Sequence, residues 1–333
     1  MAGQSTSIYT RVGLDEVLAT AILSNVLTSK GVRVFIEFVP QTVRNPVKII
    51  KSYAVGLTPS QTVSLTNTIG FQVVPEKRLG IVTKYDESGK GEVLMSLSET
   101  STLTQTVLEY VETLNTVAEI PDQLLKDVIS YATGRVSEMS KVGKALVKAV
   151  KMNYNSTDFS NTLYIYFTNV IRTKLYKLNA EIEREAAKHD EALKLIDELL
   201  KSDNLIPYGP LRVAVISRSF DKQVIKDNYW LLKPLTYDLL TRLCREDGVG
   251  MVVLETELGH TLRICLGVKN VSFVNIISSL PKELSSELNV MLKGNHVMIK
   301  FKDPSRSSLD TILNVVDVIA SNIAPLLISA SKT

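Results

Sequence analysis

Two adjacent carboxylates, Asp15 and Glu16, are the first side chains in the chain that could do chemistry. They follow the β-rich stretch Ile8–Val12 and precede apolar residues at helical spacing. Carboxylates placed in such a loop can bind a divalent metal ion that activates water. The loop otherwise offers Arg11 and Gly13, which cannot share that task. The loop therefore offers few side chains that could take part in catalysis.

The elements that must position this loop form a predicted strand–helix–strand unit from Ser7 to Phe38. Asp15 has the residue type of an N-cap, and Gly31 ends the helix as its C′ residue. The run Val32–Val39 is apolar enough for a buried parallel strand. A right-handed βαβ unit places the loop after its first strand where α/β folds usually carry their ligands.

Histidine ligands are scarce in this chain. The three histidines are His189, His260 and His296, so none lies in the first 188 residues. His189 falls on a charged helix and is expected to be solvated, and His260 is expected in a loop. The chain contains no HExxH, GxSxG or GxxxxGK[ST] motif, and Ser88–Gly91 (SGKG) is interpreted as a hairpin turn.

Bulk composition indicates a globular protein of two domains. The chain has 333 residues, 45% of them hydrophobic, and a net charge of +3. This small positive charge is compatible with a nucleic-acid-binding surface but does not indicate one. Cys244 and Cys265 are too few for a zinc site, and their apolar surroundings favour buried free thiols in a reducing compartment.

Periodicity along the chain predicts an α/β class. We expect a strand at Val47–Leu57, a hairpin from Leu79 to Leu97, mainly helices from Glu99 to Ser202, and a second α/β segment from Leu211 with two short helices between Val274 and Leu292. One long, half-exposed helix is predicted over Asn169–Leu200. The predicted domains are residues 1–155, a helical linker at 156–204, and residues 205–333.

The most apolar window, Thr311–Ile328, is interpreted as a core helix and not as a membrane span. It contains polar residues and a proline, which a span would rarely carry: Asn314, Asp317, Asn322 and Pro325. No membrane association is therefore expected.

The order of these parts resembles the DHH phosphoesterase superfamily, in particular the RecJ-type single-strand nucleases. In that family the first strand–loop–helix carries a DxDxDG motif whose carboxylates bind catalytic metals. Here Arg11 and Gly13 stand at the first two Asp positions, only Asp15 matches, and Glu16 replaces the Gly. Gly56 replaces the Asp of the second metal strand, and the Asp-His-His triplet is absent.

The resemblance extends to the C-terminal part. There, the family's DHH-associated domain has an Arg-bearing strand and a Gly-Gly-His loop that grip phosphates or single-stranded nucleic acid. The matching positions are Arg263, Lys293, Asn295 and His296, with Asn295 breaking the glycine pair. The resemblance thus implies an N-terminal DHH-like domain with a mainly parallel sheet, a helical middle segment and a smaller α/β DHH-associated-like domain.

A RecJ-like chain with these substitutions resembles one group within the family, the archaeal RecJ-like relatives of cell division cycle protein 45. That likeness implies a non-catalytic replication factor without metal or other cofactor. Its implied partners are the GINS complex and the MCM helicase, which together with it form the replicative CMG helicase. Single-stranded DNA is a further implied ligand, and the implied location is the cytoplasm, associated with the nucleoid.

Two other functions stay open from the residues alone. The first is an active phosphoesterase whose metal site is rebuilt from unmatched carboxylates such as Asp15, Asp86 and Glu92. The second is a stand-alone single-strand DNA binder, which the small net charge disfavours. The helical segment Glu99–Met152 either faces a partner or covers the sheet.

Overall fold

The computed structural model describes residues 4–41, 45–268 and 271–330. The chain divides into two compact units, Met1–Ala187 and Lys188–Thr333, each with its own sheet and hydrophobic core. The division falls inside a helix. The predicted boundaries at residues 155 and 204 remain predictions about which segments fold by themselves.

The described residues form fourteen strands and twelve α-helices. The strands are β1 (Ser5–Arg11), β2 (Arg33–Val39), β3 (Val47–Ile50), β4 (Tyr53–Val55), β5 (Val63–Thr66), β6 (Thr68–Val74), β7 (Leu79–Tyr85), β8 (Gly91–Leu97), β9 (Ile206–Tyr208), β10 (Leu211–Ile216), β11 (Val249–Thr256), β12 (Gly259–Leu266), β13 (Leu288–Lys293) and β14 (His296–Phe301). The helices are α1 (Leu14–Ser29), α2 (Leu103–Thr113), α3 (Asp122–Ala132), α4 (Lys141–Met152), α5 (Thr157–Thr173), α6 (Ala180–Leu200), α7 (Gln223–Asp227), α8 (Tyr229–Leu232), α9 (Thr236–Asp247), α10 (Phe273–Ser279), α11 (Lys282–Glu287) and α12 (Leu309–Ala330).

The first unit is built on a six-stranded sheet of order β2-β1-β4-β6-β7-β8. The pairs β1–β2, β1–β4 and β4–β6 are parallel, whereas β6–β7 and β7–β8 are antiparallel, so the sheet is mainly parallel, as predicted. Two short parallel strands, β3 and β5, form a separate pair. The carboxyl ends of β2, β1, β4 and β6 therefore meet at one edge of the large sheet.

Helix α1 is apolar on most of its sides, and eleven of its sixteen residues are buried. A helix with this composition needs cover all round, and α1 receives it from β1, α2 and α5. Its end follows the prediction, because Gly31 has φ +81 directly after the last turn. Its start does not. The N-cap is Gly13, and no side chain caps α1 there.

The second unit is a smaller α/β fold, as predicted. Its six strands run in the order β13-β14-β12-β11-β10-β9, and only β10–β11 is a parallel pair. Helix α9 packs on β11. The core contains alternating strand residues such as Val213, Val253 and Ile264, together with Ile312 and Val315 of α12.

The apolar C-terminal helix passes a length and composition test for a membrane span at Leu309–Ile328. In the described structure this helix packs on the sheet of the second unit through residues that are fully buried: Ile312, Val315, Val316, Ile319, Ala320 and Ile323. A core helix that covers a sheet has the same apolar composition, so the packing accounts for it.

Three predicted elements were wrong in detail. Val47–Leu57 is not one strand, because Lys51 has φ +52 and the chain moves from β3 to β4 in a different sheet. The long helix Asn169–Leu200 is two helices, since Lys174 adopts a left-handed conformation at the end of α5. Strand β13 occupies a stretch that had been expected to be helical.

Candidate functional site

The four positions that the family resemblance singled out in the first unit lie together. Arg11 ends β1, Gly13 and Asp15 follow it, and Gly56 follows β4. A Cβ atom added to Gly56 would lie 3.0 Å from Cγ of Glu16 and 3.8 Å from Cβ of Arg11. They therefore share the carboxyl edge of a parallel sheet, where α/β folds place their ligands.

The Asp15 carboxylate caps the N-terminus of α2. Its Oδ2 accepts a hydrogen bond from the backbone N–H of Leu103 at 2.6 Å, and its Oδ1 accepts one from Thr104 at 2.9 Å. These are first-turn amides of α2, which have no partner within their own helix. The prediction that Asp15 caps α1 was wrong, because its carboxylate caps a different helix. Burial raises the pKa of Asp15, and the hydrogen bonds from Thr104 and Leu103 oppose that rise.

Arg11 and the two glycines supply no ligand atoms to this edge. The Arg11 guanidinium donates to the carbonyl of Pro40 at 2.5 Å, across the end of β2. Gly13 lies against Glu16, whose Oε2 would be 2.2 Å from an added Cβ. Gly56 has φ +67, a conformation that favours glycine. The positive charge of Arg11 also disfavours a cation at the neighbouring position.

Glu16 is the second carboxyl of this edge with a raised pKa. Its carboxyl is half-buried, and burial, helped by the charge of Asp15, raises its pKa to about 7. The charge of Arg11 lowers that pKa only slightly. Glu16 can therefore exchange a proton near neutral pH.

A cavity of about 410 Å³ opens beside these residues. Asp15 and Glu16 are the charged groups of its lining, and most other polar groups there are neutral: Gln41, Thr58, Gln72, Ser101, Tyr131, Asn153, Tyr154, Asn155 and Ser160. Sequence reasoning missed these neutral residues. They come from segments up to 119 residues apart, from Gln41 to Ser160, so no local pattern could have identified them.

The residues present do not fit a metal centre. The described residues contain no group of three or more His, Cys, Asp or Glu side chains placed to hold an ion. Asp15 uses both of its oxygens for backbone amides. The alternative of a site rebuilt from Asp15, Asp86 and Glu92 does not fit the described geometry. Asp86 and Glu92 flank the β7–β8 turn, at the opposite edge of the sheet and about 20 Å away, one strand length.

Three of the four C-terminal candidates share one face of the second sheet. His296 pairs across strands with Cys265 and with Lys293, and Arg263 lies two residues from Cys265 on β12. Because alternate residues point to the same face, the side chains of Arg263, His296 and Lys293 lie on one side. Asn295 differs, since its amide donates to the carbonyl of Leu266 at 3.1 Å and closes the turn.

Two histidine expectations were wrong. His189 is buried in α6 and is not solvated. His260 is also buried, on β12, where its Nε2 lies 2.9 Å from Ser217 Oγ and its Nδ1 lies 3.1 Å from the carbonyl of Ser307. His296 is half-buried, and its ring stacks on Tyr237 with centroids 5.0 Å apart. The two cysteines, as predicted, are buried free thiols.

Comparisons with known proteins find likeness at the level of structure. No protein-family model and no curated protein sequence matches the chain. RecJ from Thermus thermophilus in complex with Mn²⁺ matches over 97% of this chain and 52% of its own, at 12% identity and TM-score 0.42. CDC45 from Entamoeba histolytica matches over 96% and 95%, at 7% identity and TM-score 0.41.

A further solved structure, exonuclease RecJ bound to manganese, matches over 97% of this chain and 90% of its own. Its identity is 11% and its TM-score 0.48. The chain spans about half the length of the Thermus RecJ structures that it matches. These are likenesses of fold, and an activity does not follow from them.

Proposed function

We propose that this chain is a non-catalytic DNA replication factor, a scaffold with a nuclease-like fold that binds the GINS complex and supports the MCM helicase. The observation that carries the proposal is the position of the Asp15 carboxylate. The one side chain that matches the metal motif holds the start of α2 through the amides of Leu103 and Thr104. An aspartate held in this way contributes to folding, which supports a structural role for this position.

The identity of the partners rests on the sequence resemblance. Arg11, Gly13 and Gly56 stand where the nucleases have aspartates, and this substitution pattern is the one that resembles relatives of cell division cycle protein 45. The proposed location follows from the same likeness and is the nucleoid-associated cytoplasm. The face with Arg263, His296 and Lys293 is proposed to contact single-stranded DNA, because it groups cationic and polar side chains on one side of a sheet.

A pull-down of the tagged full chain from a native extract, followed by mass spectrometry, tests the partners. Recovery of GINS and MCM subunits in proportion to the bait is expected. A matched bait with Arg11→Asp, which restores the family's residue, should recover the same subunits, because Arg11 lies at the former metal edge. Absence of both complexes from the wild-type eluate would contradict the proposal.

A second candidate function, hydrolysis, is favoured by one observation, the pKa of Glu16 near 7 beside a cavity. A nuclease assay on single-stranded DNA with Mn²⁺ separates the two functions. We expect no cleavage above the buffer control. Cleavage that Glu16→Gln or Asp15→Asn abolishes would replace the scaffold with an enzyme.

DNA binding is tested by filter binding at two salt concentrations. The expected result is weak binding by the isolated chain, further weakened by Lys293→Glu and unchanged by Lys90→Glu in the exposed β7–β8 turn of the other unit. For each phosphate that a variant no longer neutralises, the slope of log affinity against log salt should decrease by about one. Equal effects of the two substitutions would contradict the assignment of this face.

A further inference from the structure

Trp230 is the only tryptophan in the chain, and it is 67% exposed. It lies in the short helix α8 next to Tyr229, which is 1% exposed and anchors the helix in the core. The two rings meet edge to face, with centroids 4.9 Å apart. An exposed indole fixed on a buried ring offers apolar area at little cost in side-chain entropy.

Two cations flank these rings. Arg218 Cζ lies 5.2 Å from the Tyr229 centroid and 5.7 Å from that of Trp230, and Lys233 Nζ lies 5.4 and 5.3 Å from the same two centroids. All four distances are within the range of cation–π attraction. We call Trp230, Tyr229, Arg218 and Lys233 the Trp230 platform.

A hydrogen-bond network below the platform holds it in place. Glu255, at the end of β11, accepts from the Arg218 backbone N–H at 2.7 Å and from its Nε at 2.9 Å, and it also pairs with Arg218 Nη2. The Tyr229 hydroxyl donates to the Glu255 carbonyl at 3.0 Å. Since Glu255 balances the charge of Arg218, the net positive charge beside the rings comes from Lys233.

The same network contains a serine, a histidine and a carboxylate in contact, but it is not a hydrolytic site. Ser217 Oγ lies 3.0 Å from Glu255 Oε2 and 2.9 Å from His260 Nε2, yet Ser217 is 0% exposed. The other nitrogen of His260 faces a backbone carbonyl and not the carboxylate. A substrate cannot reach Ser217, so the cluster supports the platform above it.

We propose that the Trp230 platform docks an acidic peptide segment of a partner protein, one that carries an aliphatic or aromatic side chain next to a carboxylate. The apolar side chain packs on the exposed indole, and the carboxylate pairs with Lys233. This inference rests on the proposed scaffold function and names the surface and the chemistry of one of its partners.

Single-stranded nucleic acid fits this surface less well. Such ligands stack successive bases on several rings above a continuous row of cations, but Tyr229 is buried and leaves one exposed ring. The segment 217–238 also mixes four cations with three carboxylates: Asp221, Asp227 and Asp238. This mixture offers a phosphodiester strand no continuous row of cations, whereas a short peptide needs only one cation and one apolar contact.

The lone tryptophan makes the test direct, because all indole fluorescence of the full chain reports on this platform. The probe is a short synthetic peptide of aspartates and glutamates around one central leucine. We expect a saturable blue shift of the emission on titration. The peptide with glycine in place of leucine should bind about tenfold more weakly, and a lysine peptide with the same leucine should not bind.

The charge requirement is tested with Lys233→Glu, for which we expect at least about tenfold weaker binding of the acidic peptide. Lys226→Glu is the matched control in the same segment, where Lys226 pairs with Asp221 at 3.7 Å, and it should bind like the wild type. Trp230→Ala, followed by anisotropy of a labelled peptide, should abolish binding. Equal binding of the acidic and lysine peptides, or tighter binding of an oligothymidylate, overturns the proposal.

The pull-down keeps this inference separate from the proposed function. One outcome is that the wild-type bait recovers GINS or MCM while the Trp230→Ala and Lys233→Glu baits recover neither. In that case both the scaffold function and the docking inference are supported. If all baits recover them equally, the docking inference fails and the scaffold function stands. If the wild type recovers neither complex while the peptide still binds, the proposed partners are contradicted and the docking inference is supported. Thermal unfolding of each variant confirms that it is folded.

Discussion

At the scale of single residues, Asp15 shows how a carboxylate in a motif position can take a structural role. Its two oxygens accept the amides of Leu103 and Thr104, and its charge lies at the positive end of the α2 dipole. Asp15→Ala should therefore lower the free energy of unfolding by about 1–2 kcal/mol, as measured by urea denaturation. Asp15→Asn should cost less, because its amide oxygen still accepts one bond.

A metal titration gives the control for this prediction. A ligand that binds only the folded state raises the unfolding temperature with its concentration. We expect Mn²⁺ to leave the unfolding temperatures of the wild type and of Asp15→Ala unchanged. A rise in the wild type alone would show that Asp15 binds metal.

Glu16 predicts a pH dependence with a definite sign. Its folded-state pKa of about 7 lies above the ordinary value of 4.5, so between these values the folded state binds more protons than the unfolded state. Stability contributed by this group therefore falls as pH rises through that window. Glu16→Gln should be more stable than the wild type above pH 7, by up to about 3 kcal/mol, and equal to it below pH 4.5.

Glu109→Gln is the matched control, because Glu109 is an exposed glutamate of α2. Its stability relative to the wild type should change little across the same pH range. Thermal melts of the three proteins at several pH values measure the effect. A Glu16→Gln difference that grows towards acid pH would contradict the stated sign.

At the scale of elements, Asp127 joins three parts of the helical segment. Its carboxylate is buried on α3 and accepts from Ser140 N at 2.8 Å, Gln123 Nε2 at 3.1 Å and the Tyr176 hydroxyl at 2.8 Å. It also accepts from the Ser140 hydroxyl. Asp127→Asn should cost about 2–4 kcal/mol, because an amide cannot accept all four donors and leaves buried groups unpaired.

Two variants calibrate that cost. Tyr176→Phe removes a single donor and should cost about 1 kcal/mol. Asp122→Asn, on the exposed first turn of the same helix, should stay within about 0.5 kcal/mol of the wild type. If Asp127→Asn were no worse than Asp122→Asn, the carboxylate would not hold these helices together.

Sequence patterns predicted the elements whose signals are local, such as α1 with its Gly31 end and the β7–β8 hairpin. They failed where the backbone departs from what the residue type favours, as at Lys51 and Lys174, two non-glycine residues with positive φ. Strand β13 was missed because its conformation depends on pairing with β14. The partners of Asp15 lie 88 and 89 residues away, beyond any local signal.

At the scale of the whole molecule, two units with separate cores predict unfolding in two steps. Val107→Ala in the core of the first unit and Val253→Ala in the core of the second should each lower one transition by about 2 kcal/mol and leave the other in place. Calorimetry of the full chain measures both. A single transition lowered equally by both variants would show one cooperative unit.

The packing around Asp15 also determines which side chains this edge of the sheet can accommodate. An aspartate at residue 56 would have to adopt φ +67 and would meet Leu103 Cδ1 at 3.2 Å, and one at residue 13 would displace Glu16. The substitution at residue 56 therefore strains both the backbone and the packing against α2 before any ion can bind. An aspartate introduced there should lower the free energy of unfolding even in the absence of metal.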